Sequence, residues 1–186
     1  MRLCIVTDIF DQPDLGCCIS ALMPDDTACE VLGLAALCAR PDLAGETLHQ
    51  HLFSQGGMDA VVSALRAHLA PDVVGLGYSA GGTALWRAVR LGAPMRALYC
   101  VSSTRLRDEA AIAIPNHVMF GALDANAPGA DWLEHVPGGY SLFDGCDHSF
   151  YTKPESPAVK RIARMIAQQC RPAAGAHPHH LGGAMP

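Results

Sequence analysis

The chain has 186 residues, of which half are hydrophobic and 17% are charged. This length fits a single domain, and the apolar content is enough for a sizeable buried core. The formal net charge is −5 and there is no block of like charges, which argues against a nucleic-acid-binding surface and a polybasic membrane patch.

The N-terminal segment MRLCIVTDIF contains one short apolar run that Asp8 interrupts. It is too short for a secretory signal. No stretch reaches the ~18 apolar residues that a membrane span needs. We therefore expect a cytoplasmic protein.

Eight cysteines occur, without the C-x-x-C spacing of a zinc site. Several lie inside apolar runs such as RLCIV and LYCV, where cysteine behaves as a small apolar side chain in a reducing compartment. Cys17, Cys18 and Cys146 are weaker redox candidates. The sequence predicts no metal site.

In chain order, short apolar runs alternate with segments of helical periodicity. Strands are predicted over residues 2–8, 30–37, 72–78, 96–103, 117–123 and 140–145. Helices are predicted from Gly57 to Leu69, from Gly81 to Leu91 and over 156–170, and a further helical segment contains Asp131. The first, third and fourth strands are continuously apolar, as expected for a parallel sheet that is covered on both faces.

This alternation predicts repeated βα units in an open α/β sheet. Residues 10–28 are short for a helix and two connections, so no helix is assigned there. Residues 1–170 are predicted to form one domain, and 171–186, rich in Pro, Gly and Ala, a disordered tail.

Residues 77–81 read GYSAG, a G-x-S-x-G pattern. Chance alone supplies this pattern in roughly one such chain in ten or twenty. However, an apolar strand precedes it and a helical segment follows it, which favours a serine on a sharp strand-to-helix turn. The alternatives are a glycine-rich phosphate loop and an ordinary tight turn. The spacing does not match the G-x-G-x-x-G dinucleotide pattern.

A serine nucleophile needs a base and a group that orients the base. In a hydrolase of this architecture the expected chain order is Ser, acid, His. Asp124 follows the predicted fifth strand and His148 follows the sixth, so both loops emerge at the edge where Ser79 lies. Asp144, Asp147 and Asp131 remain alternative acids.

An oxyanion hole needs backbone N–H groups. Ala80, directly after the serine, is one candidate donor. The other is Ile9 or Phe10, in the loop after the first strand.

The opening strand with Asp8, the GYSAGG turn, the GALD turn and the DHSF loop together resemble the dienelactone hydrolase-like group of α/β-hydrolases, over about residues 1–170. The resemblance implies a minimal α/β-hydrolase fold. This has an open, mostly parallel six-stranded sheet with helices on both faces, no early antiparallel strands and no cap domain. It also implies the triad Ser79, Asp124 and His148.

The chain departs from this group at several positions. Ser79 replaces the cysteine nucleophile of dienelactone hydrolase, which favours ordinary ester chemistry. Asp11 stands where the group usually has glycine, and the SFYTK segment after His148 lacks the substrate-binding arginine. Asp8, Phe10, Tyr78 and Lys153 are candidate contacts to the loop or the substrate.

The sequence thus predicts a serine hydrolase that cleaves a small carboxylic ester, thioester or lactone through an acyl-enzyme, without a cofactor. The alternative is a non-catalytic protein with the same fold that binds a small ligand or a partner chain.

Overall fold

The protein is described by a computed structural model that covers residues 2–14 and 19–170. The six strands are β1 (Arg2–Val6), β2 (Ala28–Leu32), β3 (Val73–Tyr78), β4 (Ala97–Val101), β5 (Asn116–Gly121) and β6 (Tyr140–Phe143). They form one sheet in the order β2-β1-β3-β4-β5-β6, and every neighbouring pair is parallel. The predicted open α/β sheet is confirmed. The predicted tail, 171–186, lies outside the described residues.

The helices cover both faces of the sheet, as predicted. They are α1 (Leu34–Leu37), α2 (Gly45–Ser54), α3 (Gly57–His68), α4 (Ala80–Arg90), α5 (Ala130–His135) and α6 (Pro157–Gln169). Short 3₁₀ helices occupy Ile19–Leu22, Thr104–Asp108 and Phe150–Thr152. None of these described helices combines the length and the apolar character that crossing a bilayer requires.

Two apolar cores result, one on each side of the sheet. Helices α1 to α5 pack on one face, with Trp86 of α4 fully buried there. Helix α6 packs on the other face with the first and third 3₁₀ helices. Because β3 and β4 lie between both cores, all their residues are buried, which explains their continuously apolar sequences.

One predicted strand was wrong in its bounds. Residues 30–37 were expected to form a strand, but β2 ends at Leu32 and α1 begins at Leu34. Leu and Ala are strong helix formers and follow Gly33 directly, so the apolar run contains two elements. Helix α2 was not predicted, because its buried apolar side chains are mainly Leu48 and Leu52, too few for a clear periodicity.

The order in which strands are added to the sheet changes direction between β1 and β3, although the strands themselves are parallel. The chain passes from β1 to β2 on one side and then returns to add β3 on the other. In open α/β sheets, the loops diverge at such a point and leave a crevice at the carboxyl ends of the strands. Ile9 follows β1 and Ser79 follows β3, so both lie beside this crevice.

Glycines allow α4 to lie unusually close to the sheet. A Cβ atom at Gly77 would lie 2.5 Å from the backbone nitrogen of Gly82, and one at Gly81 would lie 2.5 Å from the carbonyl oxygen of Val6. No larger residue fits at either position without a shift of backbone. The first turn of α4 is therefore held against the ends of both β3 and β1.

We expect Gly77→Ala to destabilise the fold by about 3 kcal/mol, the upper end of the range for overpacking, because the obstructing atoms belong to backbone. Urea unfolding followed by tryptophan fluorescence measures this. Gly129→Ala is the control: a Cβ there meets nothing within 4 Å, and we expect less than about 1 kcal/mol at this helix cap. Equal unfolding midpoints for the two variants would contradict the packing argument.

Candidate active site

Ser79 occupies a strained turn between β3 and α4. Its φ is 48° and its ψ is −116°, a conformation that non-glycine residues rarely adopt. Its N–H donates to the carbonyl oxygen of Val101 at 2.8 Å, which ties the turn to the end of β4. The half-buried serine thus lies at the carboxyl edge of the sheet, as expected of a strand-to-helix nucleophile turn.

His148 and Asp124 are in direct contact. Nδ1 of His148 lies 2.7 Å from Oδ2 of Asp124. The Asp124 side chain is 1% exposed, whereas that of His148 is 40% exposed. The other Asp124 oxygen accepts from the N–H of Asn126 at 3.0 Å. A buried carboxylate with fixed partners holds the ring in one orientation and favours a proton on Nδ1.

Backbone contacts join the two loops that carry this pair. Leu123 N–H donates to the Cys146 carbonyl at 2.9 Å, and a Cβ atom at Gly121 would lie 2.5 Å from the Asp147 carbonyl oxygen. Buried Ser102, with φ 50°, donates its hydroxyl to the carbonyl of His148 at 2.8 Å. Ser102 could not be predicted from a local pattern, because its partner is 46 residues away.

The other candidate acids lie away from the His148 ring. Asp147 accepts from both the N–H and the hydroxyl of Ser149, and these hydrogen bonds hold its pKa below the usual range. Asp131 lies on α5 beside His135, and Asp144 is exposed and forms neither a hydrogen bond nor an ion pair with the ring. Asp124 is therefore the acid that the structure brings to His148.

Ser79 and His148 line the same cavity, which has a volume of about 550 Å³. Its lining comprises Ile9, His49, Phe53, Ser79, Ala80, Thr83, Thr104, Arg105, Arg107, Asp108 and His148. Within residues 2–14 and 19–170, neither the Ser79 hydroxyl nor Nε2 of His148 has a hydrogen-bond partner, and no cap domain is present. His49, Phe53 and the arginines were missed by sequence reasoning because α2 was not predicted and the 3₁₀ helix is short.

Two cavity-lining residues, Ile9 and Ala80, were predicted to donate their backbone N–H groups. Ala80 is the first residue of α4, so its N–H has no partner within the helix. Ile9 N–H has no acceptor among the described residues. Phe10 N–H, in contrast, donates to Oδ1 of Asp8 at 2.7 Å. Of the two predicted loop donors, Ile9 is therefore the one that remains available.

Asp8 fixes the conformation of the Ile9 loop. Its Oδ1 accepts from the N–H groups of Phe10 and Gln12, and its Oδ2 accepts from the Tyr151 hydroxyl at 2.8 Å. Burial, and then the negative charge of Asp8, raise the pKa of Tyr151, so this hydroxyl remains a donor. Asp11, where the resembling group has glycine, adopts φ 55°, which Asp tolerates better than most residues.

Three predicted contact residues do not line the cavity. Tyr78 is 1% exposed and packs against Tyr151 in the core on the α6 side, because side chains alternate between the faces of a strand. Phe10 is exposed beside Gly45. Lys153 is exposed after the third 3₁₀ helix. These three side chains lie outside the cavity lining, and their contact with the loop or the substrate stays a prediction.

One further group of potential metal ligands lies away from the site. The donor atoms of Cys4, Glu30 and His68 all lie within 4.8 Å of one another. His68 Nε2 lies 2.7 Å from Glu30 Oε2. Burial, with a smaller effect of Glu30, raises the pKa of the Cys4 thiol to about 12, so the thiol is protonated at neutral pH and Glu30 is partnered by His68.

None of the six cysteines in the described part of the chain forms a disulfide. Cys4, Cys38, Cys100 and Cys170 are buried, as predicted, whereas Cys29 is exposed. Cys146 is half-buried. The redox candidates Cys17 and Cys18 lie outside the described residues.

Solved structures identify the architecture. The RedJ thioesterase of the prodiginine biosynthetic pathway in Streptomyces coelicolor has a TM-score of 0.60, with 15% identity over 90% of this chain and 85% of that chain. A metagenomic α/β-hydrolase from lagoon sediments of Mar Chica, Morocco, has a TM-score of 0.57, with 13% identity over 91% and 90%. The chain has the α/β-hydrolase fold.

A candidate dienelactone hydrolase from Klebsiella pneumoniae subsp. pneumoniae is similar in the same way, with a TM-score of 0.58 and 17% identity over 90% of this chain and 83% of that chain. The sequence matches no protein-family model and no curated protein. At these identities the α/β-hydrolase fold is shown, and membership of the dienelactone hydrolase-like group stays a prediction.

We expect Tyr151→Phe to lower the free energy of unfolding by about 1–3 kcal/mol, because a buried oxygen of Asp8 loses its donor. The raised pKa of Tyr151 gives the sign of the pH dependence. The contribution of Tyr151 to the free energy of unfolding is fully present below ~10, the pKa of tyrosine in the unfolded chain. This contribution is progressively lost as the pH rises from that value towards the raised pKa of the folded protein. The difference between wild type and variant should therefore shrink above about pH 10.

Urea unfolding at pH 7, 9 and 10.5 measures this effect. Tyr140→Phe is the matched control, because Tyr140 is 41% exposed and should change stability by less than about 0.5 kcal/mol. A Tyr151→Phe protein as stable as Tyr140→Phe would show that the buried hydrogen bond contributes nothing.

Proposed function

We propose that this protein is a serine hydrolase that cleaves a small carboxylic ester, thioester or lactone through an acyl-enzyme intermediate. The observation that carries the proposal is the 2.7 Å contact between His148 Nδ1 and buried Asp124, in a cavity that also contains Ser79. An imidazole oriented by a carboxylate, in the same cavity as a hydroxyl on a strained turn, provides the groups that activate a serine when Nε2 and Oγ come within hydrogen-bonding distance.

In the acylation step, Nε2 of His148 takes the Ser79 proton while Oγ attacks the carbonyl carbon of the substrate. The negative oxygen of the tetrahedral intermediate accepts hydrogen bonds from the N–H groups of Ile9 and Ala80. The intermediate collapses when His148 returns the proton to the leaving alcohol or thiol. Asp124 stabilises the imidazolium that exists between these two transfers.

In the deacylation step, His148 removes a proton from water, which attacks the acyl carbon. The carboxylic acid leaves, and the proton returns to Ser79. All proton transfers use this chain's own groups, so the chemistry needs no cofactor. The similarity in fold to a thioesterase favours including thioesters among the substrates, whose thiol leaving groups need less acid assistance than alcohols.

The first test is covalent labelling of the nucleophile. We expect a fluorophosphonate probe to label the wild-type protein and to leave Ser79→Ala unlabelled, because the probe reacts only with an activated serine. Mass spectrometry of the peptide that contains residue 79 identifies the site. A wild-type protein that neither reacts nor hydrolyses p-nitrophenyl acetate or butyrate would instead favour a non-catalytic binding protein.

A second test addresses the acid. Asp124→Asn should lower kcat for p-nitrophenyl butyrate by about 10³–10⁴-fold, because an amide no longer stabilises the imidazolium or the required tautomer. Asp147→Asn is the matched control: Asp147 is adjacent in sequence to His148 but exposed and bonded to Ser149. Its kcat should remain within about twofold of wild type. Similar losses in both variants would contradict the assignment of Asp124.

A further inference from the structure

The cavity beside Ser79 has an unusual concentration of cationic side chains for an acidic protein. Arg105 and Arg107 both line it, and both come from the 3₁₀ helix Thr104–Asp108 that follows β4. We call these two side chains the arginine pair. Asp108 is the single acidic residue among the described lining residues, so the fixed charges of the lining sum to a positive value.

The arginine pair is not neutralised by the protein. Within residues 2–14 and 19–170, neither Arg105 nor Arg107 forms an ion pair. The nearby acid Glu109 is committed elsewhere: its carboxylate lies 2.6 Å from Arg87 and 3.6 Å from Arg90. Asp108 forms no ion pair in the same part of the chain. Both residues that line the cavity therefore carry a charge that no ion pair within the described residues balances.

Arg105 is also held in place before any ligand binds. Its guanidinium carbon lies 4.4 Å from the centre of the Phe53 ring, a stacked cation–π contact. Its Nη2 lies 3.4 Å from Nε2 of His49. Since arginine only donates, His49 accepts here. These contacts use one face and one N–H of the group and leave the rest of its donors for a ligand.

We propose that the arginine pair binds an anionic group of the substrate, a carboxylate or a phosphate, while the ester or thioester carbonyl lies at Ser79. The planar donor fork of arginine matches the oxygens of both groups. A side chain already fixed by stacking loses little conformational freedom when the anion binds. The inference rests on the proposed hydrolase function and specifies its substrate class.

This position differs from the one that the resemblance implied. The resembling group places an arginine soon after the histidine, and the corresponding segment here is SFYTK, whose Lys153 does not line the cavity. The arginine pair follows β4 instead, and its anchor Phe53 comes from α2. The anion site proposed here and the one implied by the resemblance therefore come from different parts of the fold.

The experiment compares an anionic thioester with a neutral one in each of two arms. In the first arm, the charge is on the acyl chain: the N-acetylcysteamine thioester of adipic acid with a free carboxylate is compared with its neutral terminal amide. In the second arm, the charge is on the leaving group: butyryl-coenzyme A is compared with butyryl-N-acetylcysteamine. Loss of thioester absorbance gives kcat/KM for each compound.

For wild type we expect kcat/KM to favour the anionic compound by at least about tenfold in one arm, the size of effect that one charge-assisted hydrogen bond supplies. That arm identifies whether the acyl chain or the leaving group carries the anion. The double substitution Arg105→Gln/Arg107→Gln should reduce the ratio to about one. Asp108→Asn should increase it, and added salt should decrease it.

Arg66→Gln is the matched control, since Arg66 is exposed on α3 and the substitution removes the same charge. It should leave both the ratio and the rate unchanged. The proposal is overturned if wild type shows no preference in either arm, or if the double variant keeps the wild-type ratio.

Binding separates this proposal from the proposed function. Isothermal titration of adipate and of its neutral diamide, adipamide, into Ser79→Ala needs no turnover. Suppose that wild type hydrolyses nothing, but the variant binds adipate at least about tenfold more tightly than the neutral amide. The hydrolase proposal then fails and the anion site stands. If the two ligands bind equally, the anion site fails whatever the hydrolytic activity.

Discussion

The close approach of α4 to the sheet is the constraint on which the site depends. Gly77 and Gly81 let the first turn of the helix touch the ends of β3 and β1. That contact brings Ala80, at the start of α4, beside the loop that carries Ile9. It also forces the chain to turn sharply at Ser79, whose strained φ is thus a consequence of packing on both sides. Because larger residues do not fit at Gly77 and Gly81, the backbone conformation of the turn depends on these two glycines.

The remaining groups reach this turn because all six strands run in the same direction. Their carboxyl ends share one edge, so the loops after β1, β3, β5 and β6 converge there. Proximity alone would leave these loops mobile. Buried hydrogen bonds fix them: Tyr151 to Asp8 for the first loop, and Ser102 to the backbone of His148 for the last. Each bond joins elements far apart in sequence, so the site forms only once the sheet is assembled.

This distinction explains what sequence reasoning could and could not predict. The buried strands β1, β3 and β4 and the strand–serine–helix turn have local signatures, and the positions of Asp124 and His148 follow from chain order in a parallel sheet. The edge strand β2 is only partly buried, so its apolar pattern is weak and merged with that of α1. Ser102 and Tyr151 act through single long-range hydrogen bonds, which leave no periodicity or spacing in the sequence.

The residues in and beside the cavity form two groups, which differ in the elements that carry them. Ser79, Asp124 and His148 lie on turns at strand ends, where backbone hydrogen bonds restrain them. Phe53, His49 and Arg105 come from α2 and the 3₁₀ helix after β4, which contact each other through side chains. Side-chain contacts of this kind tolerate substitution better than a glycine-packed turn does. The fold therefore separates a turn held by backbone packing from a wall held by side-chain contacts, and under the proposed function we expect the charge of the bound group to change without disturbing the turn at Ser79.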